Sequence, residues 1–313
     1  MAIRLDVRPR AGADYRAQSK FCTAGLVVGG VGLMLVMVAL IGNIIAGNES
    51  GVEVARIGAW TFGLNVAGFG VLKVGVALTL VGILARLWLR VDSLKHALPA
   101  LKPATRAPTV VRASEAETPF GNALVSSDEP KPLFIHRMAK ALWLPMLAMG
   151  IMAVLAGFIV SLVQSGEVRT DPPFATELSA WVQGLQFLGE GFILSGISFL
   201  LGTILGSLRE GGGEVQKASG VAVKTLKMPV TGKLFIGLMM AGLMLAIGQF
   251  VVYVTVATFS NPQTIASYFA WLGPVREAAL GLLLSGIVLA LATIGKVLGF
   301  QFARVTEIVS VGH

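Results

Sequence analysis

One cysteine, Cys22, is all that 313 residues supply, so no intrachain disulfide can form and cysteine usage leaves the redox compartment open. Histidine is almost as scarce. His96 and His136 fall in what reads as a cytoplasmic linker, and His313 is the last residue. No two imidazoles can therefore face each other inside a bilayer to hold a haem. No Cys/His/carboxylate cluster has the spacing of metal ligands, and no intramembrane Ser/His pair is available for nucleophilic catalysis. Ser195 and Ser285 read as small packing residues. The chain is expected to be non-enzymatic, with no cofactor and no metal. The run REGGGEVQ at 209–216 lacks the Lys-Ser/Thr of a phosphate loop and any strand-then-helix pattern, and is expected to be a flexible linker.

Charge is the other shortage. Only 13% of residues are charged and 55% are hydrophobic, with a mean hydropathy of +0.77, against about 25% charged in soluble domains. That composition places the chain in a membrane. Apolar runs able to cross about 30 Å of hydrocarbon, roughly 20 residues each, lie near 22–46, 63–88, 141–164, 182–208, 234–258 and 275–300. The first is too long for the roughly 7–15 apolar residues of a signal peptide and is read as a retained helix.

Positive charge is retained on the cytoplasmic side of membranes. Arg4, Arg8, Arg10, Arg16 and Lys20 precede the first span, nine Lys or Arg lie between Arg86 and Lys140, and five between Arg209 and Lys233; Arg56, Arg169 and Arg276 fall on the other side. Both termini are thus expected to be cytoplasmic, in a bacterial inner (plasma) membrane. The net charge of +8 is accounted for by this rule, which removes the case for nucleic acid while leaving attraction to anionic headgroups.

The second helix of each expected hairpin begins with AW: AWTFGLNVAGFGVLKVGVALTLVGIL, AWVQGLQFLGEGFILSGISFLLGTIL and AWLGPVREAALGLLLSGIVLALATIG. Aligned without gaps, the three share Trp60/Trp181/Trp271, Gly70/Gly191/Gly281, Gly75/Gly196/Gly286, Leu80/Leu201/Leu291, Ile83/Ile204/Ile294 and Leu87/Leu208/Leu298. The first helices align at Gly32, Gly150 and Gly242. Indoles favour the membrane interface, so Trp60, Trp181 and Trp271 are expected to anchor one side and Trp88 and Trp143 the other. The shared glycines weaken a helix but permit close helix packing in lipid; Gly25/Gly29 and Gly202/Gly206 also have GxxxG spacing.

The expected fold is all-α, a polytopic bundle of six helices in three parallel-repeat hairpins, with a pseudo-threefold axis. Hairpins at 22–90, 140–208 and 233–300 are framed by a basic N-terminus 1–21, linkers 91–139 and 209–232, and a tail 301–313. The linker from about 97 to 133, rich in Pro, Ala, Ser and Thr, is expected to be largely disordered. In length, span number and hairpin count the arrangement resembles the mitochondrial carrier family. That family's Pro-x-acidic-x-x-basic signature is missing, Pro145 being followed by MLAMG.

A few polar residues interrupt the spans. Asn65, Gln186 and Arg276 each follow their Trp by five residues and form a polar layer; Glu190 and Lys73 lie deeper. At 1.5 Å per residue, Glu190 falls one turn below Arg276 and one above Lys73. A buried carboxylate costs at least about 2.5 kcal/mol unpaired, so Glu190 is expected to pair with Lys73, Arg276 or both. The functional expectation is an accessory subunit or scaffold acting by helix packing, with the lipid bilayer and other membrane subunits or further copies as partners. The alternative is a transporter or channel for a small solute or ion along the axis.

Overall fold

The computed structural model describes residues 15–46, 48–49, 51–100, 124–126, 133–219, 223–259 and 261–310. It is built of α1 (Tyr15–Ala46), α2 (Val52–Ala100), β1 (Leu124–Ser126), α3 (Phe134–Thr170), α4 (Pro172–Ala218), β2 (Lys224–Leu226), α5 (Val230–Val256) and α6 (Pro262–Ser310). All six helices carry stretches long and apolar enough to cross a membrane, as a multi-pass membrane protein requires. Their exposed faces, among them Leu26, Met34 and Ile41 on α1 and Leu284 and Val288 on α6, are those that lipid would cover.

Two connections are set locally. Gly51 has φ +63°, a left-handed conformation that glycine adopts without a Cβ clash, and it turns the chain from α1 into α2. Asp171 caps α4 by accepting from the Phe174 amide at 3.2 Å, and Pro172 follows at the helix start, where its missing N–H costs nothing.

A threefold bundle would give α2, α4 and α6 equal surroundings, and here the structure differs. The apolar window of α4 is 89% buried, against 44% for α2 and 28% for α6. Helix α4 packs against α2, α3, α5 and α6, while α1 packs against α2. Small residues allow this central place, because in lipid close backbone approach drives association. A Cβ added at Gly189 would lie 2.8 Å from the Gly150 carbonyl on α3, and one at Gly191 would lie 2.6 Å from the Ala246 Cβ on α5.

Each hairpin packs in the same register. A Cβ at Gly32 would meet the Gly68 carbonyl at 2.7 Å, one at Gly150 the Gly189 carbonyl at 2.8 Å, and one at Gly242 the Ala279 carbonyl at 3.0 Å. Gly68, Gly189 and Ala279 occupy the same column of the three aligned sequences.

Three expectations are corrected. First, α2, α4 and α6 run for 49, 47 and 49 residues, about 70 Å at 1.5 Å per residue, so their C-terminal ends project well beyond about 30 Å of hydrocarbon. The run REGGGEVQ lies in this projecting part of α4 and is helical. Its glycines admit neighbours: a Cβ at Gly211 would fall 2.6 Å from Val91 on α2, and the Gln301 side chain of α6 lies over Gly212. Tertiary packing here outweighs a helix cost of about 1 kcal/mol per glycine.

Second, Trp88 and Trp143 are 6% exposed and sit in the main apolar core, so they are not interfacial anchors; Trp181 and Trp271 are exposed and Trp60 half-buried. Position along a span fixes depth, but rotation about the helix axis decides whether an indole meets lipid or protein. Trp143→Ala is therefore expected to cost about 3–5 kcal/mol, the range for emptying a large core site, and Trp271→Ala under about 1 kcal/mol. Unfolding midpoints in detergent would compare the two.

Third, His136 belongs to α3 rather than to a linker, with Nδ1 3.2 Å from the Gly202 carbonyl. The 97–133 segment is not wholly irregular either: α2 continues to Ala100, and β1 pairs antiparallel with β2, Leu124 opposite Leu226. Gln216 secures β2, its Nε2 donating to the Lys224 carbonyl at 3.1 Å and its Oε1 accepting from the Lys224 amide at 2.9 Å. The remainder of that segment, the basic N-terminus as far as residue 14, and His313 lie outside the described residues.

Candidate functional site

Three charged residues of the spans, Lys73, Glu190 and Arg276, converge where α2, α4 and α6 meet. Glu190 on α4 is nearly buried. Lys73 on α2 donates to its Oε1 at 2.7 Å, and Arg276 on α6 donates to its Oε2 at 3.0 Å. The side chains are 7%, 20% and 19% exposed. Both carboxylate oxygens are thus occupied by cations from different hairpins. Central α4 can hold both cations because it adjoins α2 and α6.

Arg276 has further support that the sequence reading did not find. Its guanidinium carbon lies 5.9 Å from the Phe62 ring centroid and 6.0 Å from that of Phe187, within the range of cation–π attraction. The signal was available only as position: Phe62 is two residues past Trp60, and Phe187 directly follows the polar-layer Gln186.

The polar layer divides. Gln186 is fully buried, and neither of its amide atoms has a hydrogen-bond partner among the described residues. Its methylenes pack at Gly157, and its Nε2 would lie 3.4 Å from a Cβ at Gly63. Asn65 is half-buried on α2, and Arg276 joins the carboxylate instead of the other two. Nearer the α4 start, the Tyr253 hydroxyl donates to Gln183 Oε1 at 3.3 Å, and Gln249 Nε2 donates to the Leu272 carbonyl.

Outside this cluster, hairpins one and two are also joined at their exposed ends. Glu53 at the start of α2 pairs with Arg169 at the end of α3, and Ser165 Oγ donates to the Arg56 carbonyl at 3.0 Å. These surface contacts are each worth at most about 1 kcal/mol, so they guide docking less than the buried charges do.

The glycines separate into two kinds. Gly75, Gly196 and Gly286 each face the odd-numbered helix of their own hairpin: a Cβ at Gly75 would lie 2.6 Å from the Gly29 amide, one at Gly196 2.7 Å from Leu147, and one at Gly286 3.5 Å from the Phe235 carbonyl. Gly70 and Gly191 face the next hairpin, at Val154 and Ala246. Among the described residues, no atom lies within 4 Å of the Cβ position of Gly281, so no packing partner for it is seen within them. Of the GxxxG pairs, Gly202/Gly206 pack against Ala139 and His136, and Gly25 packs against Gly75, whereas a Cβ at Gly29 would meet no described atom within 4 Å.

Two cavities lie toward the projecting ends. A groove of about 470 Å³ runs between α2 and α6 over α4, lined by Leu87, Arg90, Gly212, Leu298 and Gln301 among others. A smaller one, about 80 Å³, lies among α3, α4, α5 and α6 beside His136 and Phe300. Both are predominantly apolar, and neither is lined by Glu190, Lys73 or Arg276. No protein-family model, curated protein or solved structure matches this chain.

Proposed function

We propose that this chain is a non-enzymatic accessory subunit or scaffold of a membrane, acting through helix–helix packing, and that Glu190 is the clamp of its own assembly. The observation that carries the reading is the double pairing of Glu190 with Lys73 and Arg276. A carboxylate with both oxygens engaged has little left to offer a passing ion, whereas it joins three helices from three hairpins. The common register of Gly32, Gly150 and Gly242 supports treating those hairpins as parallel repeats. The distribution of Lys and Arg supports cytoplasmic N- and C-termini in a bacterial plasma membrane.

One observation favours the second reading, a path for a small solute or ion. Among the described residues, Gln186 is an unpaired buried amide four residues before Glu190 on α4, hence on the same helix face. The two readings part on assembly and flux. Purification from the native membrane in mild detergent, followed by native mass spectrometry, is expected to give a stoichiometric assembly. A lone monomer, coupled with solute flux that Gln186→Leu abolishes, would overturn the scaffold reading.

A further inference from the structure

The Gly70 column makes one contact, twice, inside this chain. On α2, Gly70 lies against Val154 of α3, whose Cγ1 would be 3.3 Å from an added Cβ; on α4, Gly191 lies against Ala246 of α5, at 2.6 Å. Val154 and Ala246 are themselves equivalent, each four residues past its aligned glycine, Gly150 or Gly242. Hairpin one therefore docks on hairpin two, and hairpin two on hairpin three, through the same pair of positions.

The third instance is half-built at each end of the chain. Gly281, the α6 member of the column, is exposed and has no described atom within 4 Å of its Cβ position. Val36, four residues past Gly32 on α1, is the remaining odd-helix member. Its inner side already touches Gly68, 2.9 Å from an added Cβ, as Val154 touches Gly189. It is still partly exposed, and α1 has only 17% of its apolar window buried. Both halves of a contact that the molecule makes twice are left open on α1 and α6.

The geometry points to a second copy of this chain as the occupant, with Val36 of one copy seated on Gly281 of the next. The interface continues the one between successive hairpins and buries the same kind of close, small-residue surface that associates helices in lipid. Because Gly281 and Val36 lie on different surfaces, the contact is heterologous: it propagates head to tail and closes into a ring only if the rotation per copy allows. Ala278 and Ser285, exposed on either side of Gly281, leave room for the incoming helix. This inference rests on the packing reading above and names its partner.

Crosslinking in native membranes tests it. In a Cys22→Ser background, a tagged Val36→Cys chain is co-expressed with a differently tagged Gly281→Cys chain and treated with a short bifunctional thiol reagent. A product carrying both tags is expected, with a ladder from the Val36→Cys/Gly281→Cys double variant. Gly70→Cys/Val154→Cys, which should link within one chain, verifies the chemistry. A double variant that links only within one chain would mean that the hairpins close on themselves, and would overturn the proposal, as would no product at all. Gly281→Trp should leave each copy folded but reduce the native mass to one copy. A complex with other proteins that shows no self-crosslink would sink self-docking and leave the scaffold reading standing; a lone monomer would sink self-docking, and together with solute flux that Gln186→Leu abolishes it would sink the scaffold reading too.

Discussion

Glu190→Gln is expected to lower the free energy of unfolding by about 3–5 kcal/mol, the range seen when one partner of a buried ion pair is removed. Neutral hydrogen bonds between membrane helices average only about 0.6 kcal/mol, and a lost amide-like contact alone would be that small. The difference lies in what remains. Lys73 and Arg276 both point at the Glu190 carboxylate, at 2.7 and 3.0 Å, so its neutralisation leaves two cations facing each other with partial exposure and no anion between them. Lys73→Met should cost less, because Arg276 still neutralises Glu190. Reversible unfolding of the purified protein in mixed micelles would measure both. A Glu190→Gln loss below about 1 kcal/mol would show that the carboxylate is incidental to the fold.

The second large effect is expected at Gly75. A Cβ there would lie 2.6 Å from the Gly29 amide nitrogen and 2.7 Å from the Gly25 carbonyl oxygen. These are backbone atoms, which cannot rotate aside as a side-chain end can. Gly75→Leu must push α1 off α2, and overpacking of this kind costs about 1–3 kcal/mol or more. The same substitution at Gly281, where the space is open, should change single-copy stability by no more than about 0.5 kcal/mol. Equal effects at the two sites would mean that the helices are rotated relative to the arrangement described here.

Why some of this was legible in the sequence and some was not follows from the solvent. The spans stand out because hydrocarbon demands about 20 apolar residues whatever the fold. The partners of Glu190 could be named because only two cations lie within a turn or so of its depth, and an unpaired charge there is prohibitive. Burial was another matter. Lipid is as apolar as a protein core, so the enclosed α4 and the peripheral α1 both read as spans, with mean hydropathies of 1.9 and 2.6; the abundance of Gly and Ser along 184–207 was the signal that α4 is enclosed.

Similar reasoning covers the misses. Depth was readable for Trp88 and Trp143 but rotation was not, and both turn inward. Gly211, Gly212 and Gly213 suggested a flexible linker because propensity alone disfavours helix. Only Val91 and Gln301, far away in sequence, show why glycine is needed there. Gly281 carries the same residue as Gly70 and Gly191, yet a column identity cannot say whether a neighbour is present.

The central claim is that Glu190 holds the hairpins through its cations, and a double-mutant cycle tests it most directly. Unfolding free energies of the parent, Glu190→Gln, Lys73→Met and the double variant give the coupling between the two side chains. The structure predicts a favourable coupling of about 0.5–3 kcal/mol, the range for contacting residues, with the double variant less damaged than the sum of the singles. Strict additivity would contradict the clamp and leave the 2.7 Å pair without a role in holding α2 to α4.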